Sequence, residues 1–310
     1  MIRIGIIGTD AIAHLHIGAL LTNNSYEIAG CYAEDSRDSM LFARQYRVVS
    51  YSSLEALFKY TDAIDITCDH PELVALAEKS LKELKHVYIG QPQRLSIKDI
   101  EHLVKIANES GVMLQLGAGV RFCPAYDLLN NLEHKPRMID IKHMLVRNDD
   151  DLFVQLRLAL SVDLDMLLGI LRTNVHKIEV KSWTKSKGQP NLLNCRLDCD
   201  NGCSINLIMR TVAEGDQKLD VTFNLPDMVV NAEVYKSVVE KQYCELDVSD
   251  SMVLDAYNEK NIHRKELQNF YEATCNNNDA IRRIEERMES FAAADVIVER
   301  IRQTQTVTSY

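Results

Sequence analysis

The first sixteen residues, MIRIGIIGTDAIAHLH (Met1–His16), contain the stretch that decides the fold. An isoleucine-rich apolar segment runs into a glycine turn, and a helical pattern follows directly. A strand, a glycine turn and a helix in this order open a dinucleotide-binding βαβ unit, whose turn reads G-x-G-x-x-G. Residues 8–13 read GTDAIA instead, so Asp10 stands where the second glycine is expected. The sequence therefore predicts the fold clearly but leaves the ligand in question.

The composition describes an ordinary globular protein and argues against several classes of partner. A chain of 310 residues with 46% hydrophobic and 26% charged residues is long enough for two domains. The net charge of −10 argues against nucleic acid and anionic membranes, which are bound through clustered Lys and Arg. No apolar stretch approaches the roughly 20 residues that span a bilayer, and none resembles a signal peptide. We therefore expect a cytoplasmic protein with reduced cysteines.

Strand-like and helix-like segments alternate through the first 120 residues. Short apolar strands that alternate with amphipathic helices indicate a parallel sheet with right-handed crossovers. The predicted fold class is therefore α/β, with a Rossmann-type doubly wound parallel sheet over residues 1–120, which form a dinucleotide-binding-like domain. The predicted strands are 2–8, 26–32, 63–67, 86–90 and 112–117, and the predicted helices are 11–22, 36–46, 52–59, 72–84 and 97–110.

The pattern changes from about residue 135 to longer strands with hairpin turns, of which Asp200-Asn201-Gly202 is the strongest signal. Residues 121–310 are predicted to form an α+β domain with a large, mostly antiparallel sheet. Cys195, Cys199 and Cys203 flank that turn and fit buried strand positions better than zinc ligands, so no metal site is predicted. The strands are predicted at 137–147, 176–183, 191–199, 203–212, 218–225 and 228–247, and the helices at 156–172, 263–275 and 279–303.

Three segments carry a resemblance to a known family. The first segment, TCDHPELVALAEKSLKELKHVYIGQP (67–92), is similar to a stretch that runs from T-P-x-x-x-H to the signature E-K-P. The second, VMLQLGAGVRFCPAY (112–126), is similar to the linker that follows this signature. The third, RKELQNFYEATCNN (264–277), is similar to a late helix. With these residues the chain resembles the glucose–fructose oxidoreductase and inositol dehydrogenase (Gfo/Idh/MocA) superfamily. The resemblance implies an NAD(P)-dependent oxidoreductase fold for sugars or cyclitols, with a second domain that usually mediates dimerisation.

The resemblance also shows which catalytic groups are replaced. Family members place a lysine in E-K-P and an Asp-x-x-x-His on the first helix of the second domain, where the histidine takes the hydroxyl proton as the hydride leaves. Here E-K-P is Gly90-Gln91-Pro92, and LALSVDLDMLLGIL (158–171) puts Leu158 at the aspartate and Val162 at the histidine. The catalytic residues are therefore unknown, because none of these three side chains can serve as a base.

A substitute base has to come from another position. Asp163 follows Val162, but one residue along a helix rotates a side chain by ~100°, so we expect Asp163 to face away. His70 follows the strand that ends at residue 67 and lies near the predicted crevice, which makes it the best candidate for a base. The alternative is a loop histidine without a role. His16, where the family often has histidine, is predicted to pack against the glycine turn.

The cofactor positions are altered as well. The second glycine lets the backbone approach the pyrophosphate, whereas Asp10 brings a negative charge to this point. Two unit charges ~5 Å apart at an effective dielectric constant of about 20 repel by ~3 kcal/mol. This repulsion corresponds to a loss of roughly two decades in affinity. Asp10 is predicted to cap the next helix instead. Glu34 can still reach the ribose hydroxyls of NAD, whereas the 2′-phosphate of NADP would meet the two carboxylates of Glu34 and Asp35. We expect weak NAD binding or no cofactor. The cofactor-binding positions implied by the resemblance are Gly8, Thr9, Asp10, Ile12, Glu34, Thr67, Cys68 and Gln91.

Three functions remain open at this point. The first is a family member that has lost or altered hydride transfer and binds a small molecule or a protein partner. The second is an active NAD-dependent oxidoreductase that acts on a sugar or cyclitol through unconventional groups. The third is a non-catalytic subunit that pairs with an active homologue. Replacement at several independent positions favours the first and the third, and a homodimer is the expected assembly.

Overall fold

The computed structural model describes most of the 310 residues as two compact units. The first unit comprises Met1–Phe122 with Asn258–Glu285, and the second comprises Cys123–Tyr257 with Glu286–Tyr310. The described residues are 1–68, 72–148, 151–186, 189–243, 248–254, 257–276 and 280–307.

The first unit begins with strands that alternate with helices. Its elements are β1 (Ile2–Ile7), α1 (Ala11–Leu20), β2 (Tyr26–Tyr32), α2 (Ser36–Tyr46), α3 (Leu54–Phe58), β3 (Ala63–Ile66), α4 (Leu73–Lys82), β4 (His86–Ile89), α5 (Ile97–Ser110) and β5 (Leu114–Leu116). The strands form one parallel sheet in the order β2-β1-β3-β4-β5, which confirms the predicted doubly wound domain. Ile4, Ile6, Ile64 and Ile66 of the central strands are fully buried, as expected for a parallel sheet covered on both faces.

The second unit is built on one large sheet. Its elements up to residue 253 are α6 (Pro124–Asn130), β6 (Met138–Val146), α7 (Leu152–Leu171), β7 (Val175–Ser186), β8 (Gln189–Cys199), β9 (Ser204–Val212), β10 (Lys218–Asn224), β11 (Met228–Glu233), β12 (Val238–Tyr243) and β13 (Val248–Val253). The strand order is β13-β12-β11-β10-β6-β9-β8-β7, and every pair is antiparallel except β6 with β9. The predicted large, mostly antiparallel sheet is confirmed.

Burial alternates along β6, the central strand of this sheet. Ile139, Ile141 and His143 point to the buried face, whereas Asp140 and Lys142 point to the opposite, more open face. This period of two is what a half-buried strand requires, and it separates the charges of the open face from the apolar core. A single histidine on the buried face of an otherwise apolar strand needs a polar partner.

Two long helices complete the chain, α8 (Glu259–Asn276) and α9 (Ala280–Val307). The sequence analysis placed all of 121–310 in the second domain, whereas the structure groups α8 with the first unit. The physical reason is that Leu267 and Phe270 of α8 are fully buried in one apolar cluster with Ile17 of α1 and Tyr88 of β4. As a boundary between independently folding domains, residue 120 stays a prediction.

Three features of the second half differ from the sequence-based assignment. The segment 228–247, predicted as one strand, is divided over its described residues into β11 and β12 by a turn at 234–237, where Ser237 adopts a φ of +53°. This turn reads VYKS and contains no Gly, Pro or Asn, so the usual signal is missing. The short helix α6 and the edge strand β13 were also not predicted. Among the described helices, none combines the length and the apolar character that crossing a bilayer requires.

Candidate functional site

The carboxyl ends of the parallel strands of the first unit gather the predicted cofactor positions at one edge. Ligands of open α/β sheets bind outside these strand ends. Gly8 follows β1 and lies beside Thr67 and Cys68 after β3, and Gly90 follows β4 and lies beside Ile12 of α1. The remaining predicted positions of the first unit follow the same strands: Thr9 and Asp10 after β1, Glu34 after β2 and Gln91 after β4.

Gly8 is required by the close approach of two strand ends. Its φ is +116°, and a Cβ placed there would lie 2.7 Å from Thr67 Oγ1 and 2.8 Å from the backbone N of Cys68. The Thr67 hydroxyl, fully buried, donates a hydrogen bond to the carbonyl of Ile7 at 3.2 Å and ties β3 to β1. The first glycine of the turn therefore keeps its structural task in this chain.

Asp10 is a helix cap, as the sequence predicts. Its backbone is extended, with φ −77° and ψ −174°, and its Oδ1 accepts a hydrogen bond from the amide of Ala13 at 3.2 Å. The carboxylate therefore occupies the N-terminus of α1, where the amides and the helix dipole would otherwise attract a phosphate. The residues at this turn fit a dinucleotide pyrophosphate poorly, because the anion would meet a fixed negative charge.

The acidic pair after β2 divides into two roles. Asp35 caps α2, since its Oδ1 accepts hydrogen bonds from the amides of Arg37 at 2.7 Å and Asp38 at 3.4 Å. Glu34 is exposed at the carboxyl end of β2, the place where related folds hold a ribose. A carboxylate therefore lies at that strand end, and ribose binding by Glu34 stays a prediction.

Gly90 and Gln91 occupy the place of the family's E-K-P signature. Gln91 is half-buried and precedes a short 3-10 turn, Pro92–Arg94. A Cβ on Gly90 would lie 2.9 Å from Cε1 of His16 and 3.3 Å from Cγ2 of Ile12. A glutamate at position 90 would therefore require the ring of His16 to move.

His16 does more than pack against the turn, which corrects the sequence-based expectation. Its Nδ1 lies 2.9 Å from Asp65 Oδ2, and both side chains are completely buried. Its ring centroid lies 4.7 Å from that of His263, whose Nδ1 lies 3.3 Å from Glu266 Oε2. The other oxygen of Glu266 accepts a hydrogen bond from the amide of Ala118. The buried cluster Asp65–His16–His263–Glu266 thus lies next to Gly90.

Burial and charge oppose each other in this buried cluster. Burial disfavours the imidazolium of His16, yet the charge and hydrogen bond of Asp65 outweigh it and raise the pKa of His16. Burial likewise opposes ionisation of Glu266, and the hydrogen bond and charge of His263 outweigh it, so the pKa of Glu266 is lowered. The sequence feature that could have indicated this cluster is Asp65. A carboxylate inside the apolar strand AIDI is buried, and a buried charge requires a charged or hydrogen-bonding partner.

The family positions Leu158 and Val162 lie on α7 in the second unit. Both are half-buried and, at i and i+4, share one helix face. The ionisable residues of α7 are engaged elsewhere: Arg157 with Asp295 at 2.5 Å, Asp163 with His143 at 2.7 Å and Asp165 with Arg287 at 3.1 Å. Asp163 is fully buried, so it does not share the half-exposed face of Val162.

His70, the candidate base, and its neighbour Asp69 lie outside the described residues. Within the described part of the chain, no three His, Cys, Asp or Glu side chains converge to hold a metal ion. Cys195 and Cys199 are buried strand positions, as predicted, and Cys203 is buried just before β9; burial raises the pKa of the three thiols to about 12, 12 and 11, respectively.

Comparison with known proteins finds a family match in the first unit. Residues 2–118 match the model of the oxidoreductase family with an NAD-binding Rossmann fold, Gfo/Idh/MocA. Residues 2–118 therefore resemble the NAD-binding domain of the Gfo/Idh/MocA oxidoreductases. This confirms the family resemblance on which the sequence analysis relied.

Curated relatives of this chain include two sugar dehydrogenases. The chain is 24% identical over 181 residues to the UDP-N-acetylglucosamine 3-dehydrogenase of Acidithiobacillus ferrooxidans, covering 58% of this chain and 57% of the relative. It is 24% identical over 132 residues to the glucose-6-phosphate 3-dehydrogenase of Bacillus subtilis, covering 43% of this chain and 38% of the relative. The aligned segments thus span about half the length of these relatives or less.

Similarity in three dimensions extends further along the chain. The solved UDP-N-acetylglucosamine 3-dehydrogenase of Acidithiobacillus ferrooxidans has a TM-score of 0.86 with 18% identity, and the match covers 98% of this chain and 99% of that one. At this identity the match shows the shared fold and nothing about the substrate.

Proposed function

We propose that this Gfo/Idh/MocA protein has lost or altered hydride transfer and binds a small molecule of the sugar class. One observation carries the first half of this proposal. The face of α7 with Leu158 and Val162 is apolar, and Arg157, Asp163 and Asp165 of the same helix are paired with other side chains. A general base must lie within hydrogen-bond reach of the proton that it takes, and this face offers none.

The relatives support the sugar class. Their names describe dehydrogenases of UDP-N-acetylglucosamine and of glucose 6-phosphate, two hydroxyl-rich sugar derivatives. For this chain, a hydroxyl-rich ligand is our proposal. We also propose that any NAD is bound weakly, since the carboxylate of Asp10 lies at the N-terminus of α1. The charge repulsion of ~3 kcal/mol at ~5 Å corresponds to roughly a hundredfold loss of affinity.

We further propose a homodimer in the cytoplasm, formed through the open face of the large sheet. This face has a trough of about 730 Å³ whose lining mixes Lys142, Lys218 and Lys236 with Asp220 and Glu240. A patch that carries both positive and negative groups suits a two-fold contact, because it packs against the same patch of the second protomer, where its positive groups can face negative ones. Pairing with an active homologue through the same face is the alternative assembly.

A second candidate function is an active NAD-dependent oxidoreductase of a sugar or cyclitol with unconventional catalytic groups. The buried cluster Asp65–His16–His263–Glu266 favours it, because it brings two histidines and two carboxylates next to Gly90. Clusters of ionisable groups with shifted pKa values are typical of active sites, although structural ion pairs share this property.

Two measurements on the purified protein test the proposed function. Native mass spectrometry should detect a bound sugar-class ligand, and an absorbance assay at 340 nm with NAD and glucose 6-phosphate, UDP-N-acetylglucosamine or myo-inositol should show no turnover. Gln91→Lys alone should not restore turnover, because the base is still missing and a base typically contributes ~10²–10⁴-fold. Turnover by the unmodified protein would favour the second candidate, and its loss in His70→Ala would identify His70 as the base.

A further inference from the structure

A buried histidine–carboxylate pair crosses from the sheet to the helix in the second unit. Nδ1 of His143 on β6 lies 2.7 Å from Asp163 Oδ2 on α7, and the two residues are 2% and 0% exposed. The carboxylate accepts the hydrogen on Nδ1, which fixes the tautomer of the ring. The lone pair of a neutral His143 is therefore on Nε2, on the side of the ring away from Asp163.

The exposed side chain of Gln217 lies within hydrogen-bond distance of that lone pair. The amide nitrogen of Gln217 lies 3.2 Å from Nε2 of His143 and 3.2 Å from the hydroxyl of Tyr235. A side-chain amide carries two hydrogens, so it can donate one to the imidazole and the other to the phenol oxygen. This arrangement is that of a neutral His143 acting as an acceptor. Gln217 itself is exposed, in the segment that joins β9 to β10.

The surroundings of Nε2 suit a hydroxyl-rich ligand. Tyr235 is half-buried in the turn between β11 and β12, and Tyr257 packs edge-on against it with ring centroids 5.5 Å apart. Small-molecule sites in proteins typically combine such aromatic surfaces with a few polar groups that fix orientation. A ligand hydroxyl that replaced the amide of Gln217 would donate to His143 and lie beside the Tyr235 hydroxyl.

Burial and the charge of Asp163 act on the pKa of His143 in opposite directions. Among the described residues, the titratable groups against His143 are Asp163 and Tyr235, with Tyr257 and Cys123 beyond Tyr235. Burial disfavours the charged imidazole, and Asp163 outweighs burial, so the pKa of His143 is raised. Burial and then Asp163 raise the pKa of Tyr235, which keeps its hydroxyl protonated. Oδ1 of Asp163 is buried without a hydrogen-bond partner, an arrangement that packing alone does not favour.

We propose that His143, positioned by Asp163, receives a hydroxyl group of a sugar-class ligand at Nε2 in place of the amide of Gln217. This inference rests on the proposed sugar ligand and assigns it a contact that the family resemblance does not supply. The histidine comes from strand β6, whereas the position that the resemblance assigns to a histidine, Val162, is on α7.

The first test measures the pKa of His143 by NMR of ¹³C-labelled histidine, with and without glucose 6-phosphate, UDP-N-acetylglucosamine and myo-inositol as separate probes. His143→Gln assigns the resonance. A hydroxyl that donates to the neutral ring should lower the pKa of His143, and the affinity should fall by up to about tenfold per pH unit below that pKa. His176, which pairs with Asp200 but is 55% exposed, is the matched control whose resonance the probes should leave unmoved.

The second test uses Gln217→Ala, an exposed substitution that leaves the buried pair intact. Removal of the competing amide should tighten probe binding several-fold. Asp163→Asn should weaken it, and circular dichroism should show whether this buried variant folds. If a probe binds, but the pKa of His143 does not move and Gln217→Ala has the same affinity as the wild type, this inference is overturned while the proposed sugar ligand stands. Absence of binding by all three probes would overturn the proposed sugar ligand and this inference with it.

Discussion

His16 and Asp65 form an ion pair in which Nδ1 lies 2.9 Å from Oδ2 and neither side chain is exposed. The two residues lie 49 positions apart, on α1 and β3. Removing one partner of a buried pair leaves an uncompensated charge and typically costs about 3–5 kcal/mol, more than most single substitutions. Substitution of either residue alone should therefore destabilise the region next to Gly90.

The stability of the protein should depend on the ionisation of His16. The pKa of His16 is raised in the folded state. The charged histidine therefore contributes fully to the free energy of unfolding when the pH is below about 6.5, the pKa of histidine in the unfolded chain. This contribution is lost as the pH rises through the pKa that His16 has in the folded protein. Urea unfolding of the wild type and of His16→Gln should therefore give a difference that shrinks above about pH 6.5. Glu266 does not interfere there, because its pKa is lowered from 4.5.

His176→Gln is the control for that experiment, since His176 is more than half exposed and should contribute little at any pH. A difference between wild type and His16→Gln that stays constant from pH 5.5 to 9 would show that His16 acts through packing alone.

Substitution of Gly8 should destabilise the fold. In Gly8→Ala the new Cβ would lie 2.7 Å from Thr67 Oγ1, and the φ of +116° is strained for any other residue. We expect a loss of about 1–3 kcal/mol from backbone strain, before the cost of the clash. Gly18→Ala is the matched control, because a Cβ there meets nothing within 4 Å on a helix, where alanine is favoured by about 0.5–1 kcal/mol. Relative to the wild type, thermal unfolding should give a lower melting temperature for Gly8→Ala and a higher one for Gly18→Ala.

The charge of Asp10 should set the affinity for NAD. Calorimetric titration of the wild type should show a Kd no tighter than roughly 100 µM, and Asp10→Gly should strengthen binding by up to about a hundredfold. Loss of the hydrogen bond from Ala13 should cost only a few tenths of a kcal/mol with glycine at the cap. Asp10→Asn separates charge from capping, since asparagine caps equally well. A low-micromolar Kd for the wild type would refute this account of Asp10.

The proposed dimer can be tested at the open face of the sheet. Light scattering of the wild type should report twice the 35.3 kDa chain mass or a multiple of it. Ile208 is 38% exposed and lines the trough, so Ile208→Arg should shift the protein toward the monomer. Leu41→Arg, at a residue 65% exposed on α2, should leave the mass unchanged. A wild type that remains monomeric at micromolar concentration would contradict the proposed assembly.

The sequence by itself determined the features that depend on neighbouring residues. The alternation of apolar strands with helices predicted the parallel sheet, and 26–32, 36–46 and 97–110 agree with the structure at both ends. Asp10 was predicted as a cap because a cap bonds an amide three residues away. The turn at 234–237 was missed because VYKS contains no Gly, Pro, Asn or Asp, which are stronger turn residues than its single Ser.

Only the tertiary structure decided which ionisable side chains meet. His16 reaches Asp65 because α1 packs on a sheet whose strand order puts β3 beside β1, and His263 joins them because α8 packs on α1. His143, Asp163 and Gln217 likewise come from a strand, a helix and a connecting segment of the second unit. Periodicity reports which face of an element is buried. It does not report which other element covers that face, and the partners of a buried charge depend on that choice.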